Sequence, residues 1–287
     1  MDFTGFPNSG RFYSGSERKK GLRGRDGSCY MVKFQKSSPF GKHFNHVSEY
    51  LGSHIFQLAG IPAQETLLGT YGGESVVACK DFIEPGTQFV PFNDVGESTL
   101  EEDRESYQYD YGDIMQMLRD NSKLTSVEET VEAFWRIYVI DALIGNFDRH
   151  GSNWGFIKRR GRYSLAPVFD NGSCLFPRLV DDEALGEVLG SEDEMLKRVF
   201  GFPTSQIRLD GKKSSYHAVI SSGQFPECND ALAYVSEALD MASVHDLVEG
   251  VSCVTPLRRE FYHRMLSLRW DHLIRIPAER LAKGGVR

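Results

Sequence analysis

Apolar residues recur at helical spacing near the start of the chain, between residues 45 and 58. Four of them share one helix face at positions i, i+4, i+8 and i+11: Val47, Leu51, Ile55 and Leu58. Gly60 and Pro62 follow, and both residue types commonly end helices. The pattern therefore predicts an amphipathic helix over 45–58, with one face packed against a core.

Strand-like segments flank this predicted helix. Tyr30–Phe34 alternates in polarity, and Lys33 is its one charged residue. Residues 74–79 form a second segment of this kind, and Lys80–Ile83 follows it. A lysine is common on an edge strand, so Lys33 has a structural explanation as well as a functional one.

A long helix that is apolar on most sides is predicted between Ser126 and Gly145. The residues from Ser126 to Glu129 have the sequence of a capping box. Apolar residues occupy most faces of the turns that follow, which is typical of a helix in the centre of a core. Gly145 and Asn146 are expected to end it.

The segments beyond this helix predict a hairpin and further helices. Residues 154–157 and 163–168 flank Arg160-Gly161 and predict two paired strands. Helical patterns continue over 181–200 and 229–285. Earlier in the chain, the segment 85–110 is polar and acidic and is interpreted as a solvated connector; its acidic residues include Glu97, Glu101, Glu102, Asp103 and Glu105.

The composition narrows the possible classes of function. The 287 residues are 40% hydrophobic and 25% charged, which suits one large or two coupled globular domains. A net charge of −7 argues against direct binding of nucleic acid, which requires a basic surface. No apolar run follows Met1, and none is long enough to cross a bilayer, so we expect neither a signal peptide nor contact with a membrane.

The cysteines favour a reducing compartment. They form no Cys-x-x-Cys pair and have no histidines at zinc spacing: Cys29, Cys79, Cys174, Cys228 and Cys253. Three of them lie in apolar stretches. We therefore expect buried, reduced thiols in a cytoplasmic protein.

The residues after the long helix have the spacing of a phosphoryl-transfer centre. Asp148 is followed five positions later by Asn153, and Asp170 precedes Asn171-Gly172. In protein kinases, an Asp and an Asn at this spacing orient the acceptor hydroxyl and bind magnesium, and a second Asp before a glycine binds metal. We interpret Asp148, Asn153 and Asp170 as catalytic, with Asn153 and Asp170 as magnesium ligands.

Each piece of this pattern also has a simpler interpretation. Asp-Asn-Gly is most often a turn, because Asn and Gly tolerate a positive φ. His150 could orient the predicted catalytic loop beside a bound nucleotide, or it could be a structural histidine. Only the joint pattern favours a catalytic centre.

An ATP-binding half is predicted upstream. Lys33 would bind the α- and β-phosphates, and Glu49, sixteen residues later in the predicted helix, would hold the lysine. Glu49 could also simply favour the helix dipole. Lys80 and Phe82 lie where the hinge of a kinase would pair with adenine.

The loop before the lysine strand is rich in small hydroxyl residues and cations. Its backbone N–H groups could cradle phosphates, although a solvated basic loop would have a similar composition. The candidate phosphate-binding residues of this loop are Ser14, Gly15, Ser16, Lys19 and Lys20.

In this order of motifs the chain resembles the HipA-like kinases, in particular a compact branch without their separate N-terminal domain. The resemblance extends over residues 11–280, but only 146–172 carries specific motifs. Asp-Arg-His-x-x-Asn is also similar to phosphatidylinositol kinases. The family implies an α+β, bilobal, protein-kinase-like fold: a small β-rich N-lobe with one key helix, residues 1–90, and a larger, mostly α-helical C-lobe, residues 91–287.

The resemblance also implies an activity and partners. It implies a serine/threonine protein kinase that uses ATP and magnesium, acts on a protein substrate, and often has a HipB-like antitoxin partner. Members of the family commonly autophosphorylate serines of the phosphate loop, where Ser14 and Ser16 lie here. The chain has Asp-Asn-Gly in place of Asp-Phe-Gly, and it lacks Ala-Pro-Glu and the glycine triad. Regulation by an activation loop is therefore not expected.

Two alternatives stay open at this point. A kinase of a small molecule or lipid headgroup would be favoured by an exposed basic and apolar surface beside the site. A pseudokinase that acts as a binding module would be favoured by loss of any of four residues, but all four are present: Lys33, Asp148, Asn153 and Asp170.

Overall fold

The computed structural model describes residues 1–13, 18–97, 110–209 and 211–284. The expected phosphate-loop residues Ser14, Gly15 and Ser16 lie outside the described residues, as do residues 98–109 of the acidic connector. In the part that is described, no helix is long and apolar enough to cross a membrane.

An antiparallel sheet forms the first part of the fold. Its strands, in spatial order, are β1 (Lys19–Arg23), β2 (Cys29–Phe34), β6 (Glu74–Lys80) and β5 (Thr66–Tyr71). In β2, Val32 and Phe34 lie on the outer face, in an apolar cluster with Phe3. Lys33 therefore lies on the opposite face, as the alternation of the sequence predicted.

The predicted amphipathic helix is present as α1 (Asn45–Leu58), and it packs beside the face of the sheet that carries Lys33. A short hairpin precedes it, formed by β3 (Ser37–Ser38) and β4 (Gly41–Lys42). The helix ends at Ala59, and Gly60 follows with a φ of 71°. The helix is the element that brings Glu49 under the sheet.

The chain then leaves the first sheet through residues 81–87. Strand β7 (Gln88–Pro91) pairs with the predicted hairpin, which is present as β8 (Gly155–Arg159) and β9 (Arg162–Leu165). The end of the predicted N-lobe is therefore hydrogen-bonded to the C-lobe, and the boundary at residue 90 stays a prediction.

Helix α4 (Val127–Ile144) lies at the centre of the second part, with most of its residues buried. The Ser126 hydroxyl accepts a hydrogen bond from the Glu129 N–H at 3.3 Å, so Ser126 caps the helix as predicted. Gly145 ends the helix in the left-handed conformation, with a φ of 63°. Two shorter helices precede it, α2 (Phe92–Glu97) and α3 (Tyr111–Asp120).

Further helices surround α4. The predicted stretch 181–200 consists of two helices, α5 (Asp182–Gly190) and α6 (Glu192–Phe200). The stretch 229–285 is helical in several pieces: α8 (Pro226–Ala238), α9 (Met241–Glu249), α10 (Pro256–Arg269), a π-helical segment (Trp270–Arg275) and α11 (Ile276–Ala282). The sequence did not predict the hairpin of β10 (Thr204–Leu209) and β11 (Lys212–Ser215), or the short helix α7 (Tyr216–Ser222) after it.

The chain thus has the expected mixed architecture. A small region rich in strands, with α1 beside its sheet, precedes a mainly helical region built around α4. The α+β, kinase-like fold class predicted from the sequence is confirmed.

Candidate active site

Lys33 lies at the junction of the two parts of the fold, and its side chain is buried. Its Nζ donates to Glu49 Oε2 at 2.8 Å and to Asp170 Oδ1 at 2.7 Å. Burial opposes the charge of Lys33, but the two carboxylates outweigh this effect and hold its pKa well above the usual value. A single cation therefore connects the first sheet, α1 and the segment after the β8–β9 hairpin.

Glu49 is buried and uses both of its carboxylate oxygens. While Oε2 accepts from Lys33, Oε1 accepts from the backbone N–H of Asn171 at 3.0 Å. The predicted Lys33–Glu49 ion pair is confirmed. Glu49 thus fixes the position of the Asp-Asn-Gly segment as well as that of the lysine.

The close approach of α1 to the Asp-Asn-Gly segment depends on Gly52. A Cβ atom at Gly52 would lie 2.7 Å from the Cβ of Asn171, which is closer than real side chains pack. The Asn171 side chain also donates to the Ser53 hydroxyl at 3.0 Å. A glycine one turn after Glu49 therefore lets the two segments meet.

Asp170 keeps about a third of its side chain exposed (35%), although Lys33 contacts it. The positive charge of Lys33 is the main cause that holds the pKa of Asp170 below its usual value. The carboxylate is therefore ionised at neutral pH and partly open to the cleft.

The predicted catalytic loop folds around the peptide of Asp148. The Asp148 carbonyl accepts from the Asn153 side chain at 2.7 Å and from the His150 N–H at 2.8 Å. The Asp148 carboxylate is 42% exposed, and the Ser173 hydroxyl lies 3.5 Å from it. The loop thus presents a carboxylate to solvent on a backbone that is fixed by hydrogen bonds.

A buried arginine organises this loop. Arg149 forms an ion pair with Asp141 of α4, with Nε–Oδ2 and Nη2–Oδ1 distances of 2.9 and 3.0 Å. Its Nη1 donates to the carbonyls of Asn153 at 3.1 Å and Phe169 at 2.5 Å, and its Nη2 donates to Asn171 Oδ1 at 2.5 Å. One guanidinium therefore joins the two segments that carry the predicted metal ligands.

The sequence interpretation missed Arg149, Asp141 and Asn171 as parts of the site. A signal for one of them was present. Asp141 is a charged residue within the apolar part of the long helix, and a buried carboxylate needs a cation as its partner. Nothing in the linear sequence indicated that Arg149 is this partner.

Phe82 of the expected hinge contacts Phe169, the residue that precedes Asp170. The rings of Phe82, Phe89 and Phe169 contact one another, with centroid distances of 5.1 to 6.2 Å. All three are only partly buried. They form an apolar surface of a kind that suits a flat aromatic base.

Some predicted nucleotide-binding residues do not reach this region. Lys20 lies on the outer face of the sheet, where its Nζ donates to the Tyr71 hydroxyl at 2.9 Å. Lys80 forms an ion pair with Glu65 at 2.8 Å, and its carbonyl accepts from Gln64. The cause is strand alternation, which directs these two side chains away from Lys33.

Lys19 and His150 are closer to the expected positions. Lys19 pairs with Lys33 across β1 and β2, so both residues lie on the same face of the sheet. The His150 Nε2 lies 3.9 Å from Asp148 Oδ1, which is too long for a hydrogen bond. Its Nδ1 accepts from the Ser152 N–H at 3.2 Å, so His150 contributes to the fold of the loop.

The oxygen atoms at the site suit magnesium. Asp170 offers a carboxylate and Asn153 an amide oxygen, and hard oxygen ligands of this kind bind Mg²⁺. Among the described residues, no group of three or more His, Cys, Asp or Glu side chains could hold a metal alone. In a kinase site, one or two protein ligands bind the metal together with the phosphates of the nucleotide.

Comparison with known proteins identifies the family of the chain. Residues 12–251 match the model of the HipA-like C-terminal domain. Over 278 residues the chain is 33% identical to the serine/threonine-protein kinase CtkA of Helicobacter pylori, covering 91% of this chain and 85% of the relative.

Solved structures support the same relationship. The crystal structure of the Helicobacter pylori proinflammatory kinase CtkA superposes with a TM-score of 0.90 at 31% identity, covering 100% of this chain and 99% of that one. A Shewanella oneidensis HipA, solved with HipB and operator DNA, has a TM-score of 0.59 at 14% identity, covering 93% of this chain and 66% of that one. The second likeness concerns the fold alone.

Proposed function

Since the chain belongs to the HipA-like C-terminal domain family and is a serine/threonine-protein kinase, we propose that it uses ATP and magnesium to phosphorylate a hydroxyl group of a protein. The observation that carries the cofactor assignment is the position of Lys33. Its Nζ bonds to both Glu49 and Asp170, beside a loop that carries Asp148 and Asn153. This is the constellation that phosphoryl transfer requires.

In this proposal, four residues hold the nucleotide and the metal. Lys33 contacts phosphate oxygens, and Glu49 keeps its ammonium group in place. Asn153 and Asp170 would hold magnesium, which would neutralise the charge of the phosphoryl group that ATP supplies. The ring of Phe82, with its aromatic neighbours, offers a surface for the adenine base.

Asp148 receives and orients the acceptor hydroxyl. Its carboxylate is exposed, while its backbone is held by Asn153 and His150. Because the transition state of phosphoryl transfer is loose, orientation of the hydroxyl contributes more than early proton removal. Asp148 takes up the hydroxyl proton as the new oxygen–phosphorus bond forms and the bond between the γ-phosphorus and the departing ADP oxygen breaks.

Two further features of the family are proposed for this chain. Ser14 and Ser16, in the expected phosphate loop, are candidate autophosphorylation sites. A HipB-like antitoxin is a candidate partner, since the Shewanella HipA was solved with HipB and operator DNA. The expected cytoplasmic location stays a prediction.

The dependence of ATP binding on magnesium tests the cofactor assignment. We expect titration calorimetry to detect ATP binding in magnesium and much weaker binding in a chelator, because Asn153 and Asp170 are too few ligands to hold the metal without the phosphates. Asp170→Asn should weaken the magnesium-dependent binding, whereas the control Asp113→Asn, at an exposed position of α3, should not. Equal ATP affinity in chelator and in magnesium would contradict the assignment.

A further inference from the structure

Arg178 is an exposed cation in the segment that follows Asp170. Its guanidinium lies 5.9 Å from the centroid of the Phe147 ring, and Phe147 directly precedes Asp148. Within the described part of the chain, Arg178 takes part in no hydrogen bond or ion pair. An arginine without a polar partner among the described residues therefore lies against the ring that directly precedes Asp148.

The backbone on both sides of Arg178 is fixed. The Pro177 carbonyl accepts from the Phe44 N–H at 2.9 Å, just before α1. The Leu179 carbonyl accepts from the guanidinium of Arg258, a fully buried residue whose guanidinium also lies 3.6 Å from the centre of the Phe44 ring. Arg178 is thus an exposed side chain on a rigid backbone, as in a preformed binding site.

Other basic side chains lie near Arg178. The backbone N–H of His43 donates to the Lys36 carbonyl at 2.8 Å, and Phe44, the next residue, is bonded to Pro177. Burial, followed by the charges of Arg178 and Lys36, lowers the pKa of His43. The charge of Lys36 also contributes to the low pKa of Asp170. Arg178 and Lys36 therefore contribute positive charge at the border of the site, in a chain whose net charge is −7.

We propose that Arg178 determines which acceptor sites are phosphorylated, by binding an acidic side chain close to the acceptor serine or threonine. This inference rests on the proposed function. Arginine presents a planar set of donors that matches a carboxylate or a phosphate, and pairing with either makes charge-assisted hydrogen bonds. An extended peptide advances about 3.3 Å per residue. A hydroxyl at Asp148 therefore places residues one to three positions away within reach of Arg178.

The acceptor specificity can be measured with serine peptides. Each peptide of a set contains a single serine and one glutamate, which is placed at one of the positions from −3 to +3. Each is matched by a peptide with glutamine at the same position. At saturating ATP and magnesium, we expect wild-type kcat/KM to be about 10-fold higher for at least one glutamate peptide than for its glutamine match, a difference of ~1.4 kcal/mol. Dephosphorylated casein, whose serines lie among glutamates, serves as a protein substrate in parallel.

Substitution of Arg178 should remove this preference alone. Arg178→Gln should bring the ratio to about 1 while the rate with the glutamine peptide and the KM for ATP stay unchanged. Arg178→Glu should favour a peptide that has lysine at the position where wild type prefers glutamate. The control Arg25→Gln, at an exposed position in the β1–β2 turn, should behave as wild type.

The possible failures can be distinguished. An acidic preference that persists in Arg178→Gln, or wild-type transfer without any acidic preference, would overturn the assignment of Arg178 and leave the proposed function intact. A rise in the KM for ATP in Arg178→Gln, with the peptide ratio unchanged, would show that Arg178 contacts the nucleotide instead. Absence of transfer to every peptide and to casein, together with absence of magnesium-dependent ATP turnover, would contradict the proposed function itself.

Discussion

Asp170 adopts a left-handed backbone conformation, with a φ of 57°. Residues other than glycine rarely occupy this region, although Asp and Asn tolerate it better than most. The Asn171 N–H bonded to Glu49 and the carboxylate bonded to Lys33 fix this conformation. The two interpretations of Asp-Asn-Gly in the sequence are therefore compatible, because a turn is what directs the carboxylate at the lysine.

His46 gives a prediction about pH at the residue scale. The residue is buried in α1, its Nδ1 has no hydrogen-bond partner among the described residues, and burial lowers its pKa to about 4. The unfolded chain would bind the proton near pH 6.5. The contribution of neutral His46 to the free energy of unfolding is therefore fully present above about pH 6.5. It is lost as the pH drops towards 4, and the loss is roughly 3 kcal/mol at most.

Denaturant unfolding between pH 7 and pH 4 would measure this effect. His46→Gln should lose much of the decline in the free energy of unfolding, since the substituted side chain does not titrate. His272→Gln, at a partly exposed position, is the control and should keep the decline. If wild type and His46→Gln declined in parallel, burial of a neutral His46 would not be the cause.

At the same scale, the sequence identified some site residues and missed others. Lys33, Glu49 and Asp170 could be predicted because their spacing is set by the reaction, and the structure brings them together. Arg149 and Asn171 could not be predicted, because their partners lie in other segments of the chain. A buried polar network is defined by three-dimensional contacts that no local pattern encodes.

At the scale of elements, α4 supports the predicted catalytic loop from its C-terminal end. The side chain of Asn146 donates to Asp141 Oδ1 at 2.9 Å, and the Tyr216 hydroxyl donates to the Asn146 carbonyl at 2.6 Å. Arg269 is fully buried and donates to the Ala142 carbonyl at 2.7 Å, in the last turn of the helix. Burial lowers the pKa of Arg269 to about 10, and no carboxylate of the described chain pairs with it. Several elements thus hold the point where the loop begins.

The buried ion pair between α4 and the loop gives a second prediction. Asp141→Asn should leave the Arg149 charge uncompensated in the interior, which typically costs about 3–5 kcal/mol. Thermal and denaturant unfolding would report this loss. Glu132→Gln breaks the exposed Glu132–Arg136 pair on the same helix and should change stability little. Equal stability of the two variants would mean that the buried pair does not hold the loop to the helix.

The elements predicted well are those with local signals. Ser126 and Gly145 define α4, and the turn at Arg160-Gly161 defines the β8–β9 hairpin. The β10–β11 hairpin was missed because its strands are mostly polar, and its role depends on a distant contact. Gln206 of β10 donates to the Phe147 carbonyl at 2.6 Å, beside Asp148. A supporting strand of this kind is visible only in the folded chain.

At the scale of the whole molecule, we predict that the kinase modifies itself. Ser14 and Ser16 lie next to basic residues, and a phosphate on either would add about −1.5 to −2 charges. The added charge should weaken ATP binding, either by repelling the γ-phosphate or by pairing with Arg18, Lys19 or Lys20. Peptide mass spectrometry after incubation with ATP and magnesium should find phosphate at one of the two serines.

Phosphomimetic variants test the consequence of this modification. Ser14→Glu and Ser16→Glu should bind ATP more weakly than wild type in calorimetry, whereas Ser122→Glu, at an exposed position between α3 and α4, should not. Phosphate at neither serine would refute the self-modification. ATP affinity unchanged in both phosphomimetic variants would refute its inhibitory effect.

The bilobal architecture as a whole could be predicted because the order of the motifs specifies it. The contact between Lys33 and Asp170 spans 137 positions in sequence, and it joins the sheet to the C-terminal part. The position of the lobe boundary could not be derived in the same way. Strand β7 lies within the segment predicted as a solvated connector, and the acidic composition of that segment does not indicate its pairing with β8.

The central claim is that Asp148 acts on the acceptor hydroxyl in a site that binds ATP and magnesium through other residues. The most direct measurement compares phosphate transfer to dephosphorylated casein by wild type and Asp148→Asn, with ATP affinity determined by calorimetry on the same preparations. The account predicts that transfer is lost while magnesium-dependent ATP affinity stays within about twofold, a difference of less than ~0.5 kcal/mol. If Asp148→Asn kept more than about a tenth of the wild-type rate, a barrier change under ~1.4 kcal/mol, the role assigned to Asp148 would be contradicted.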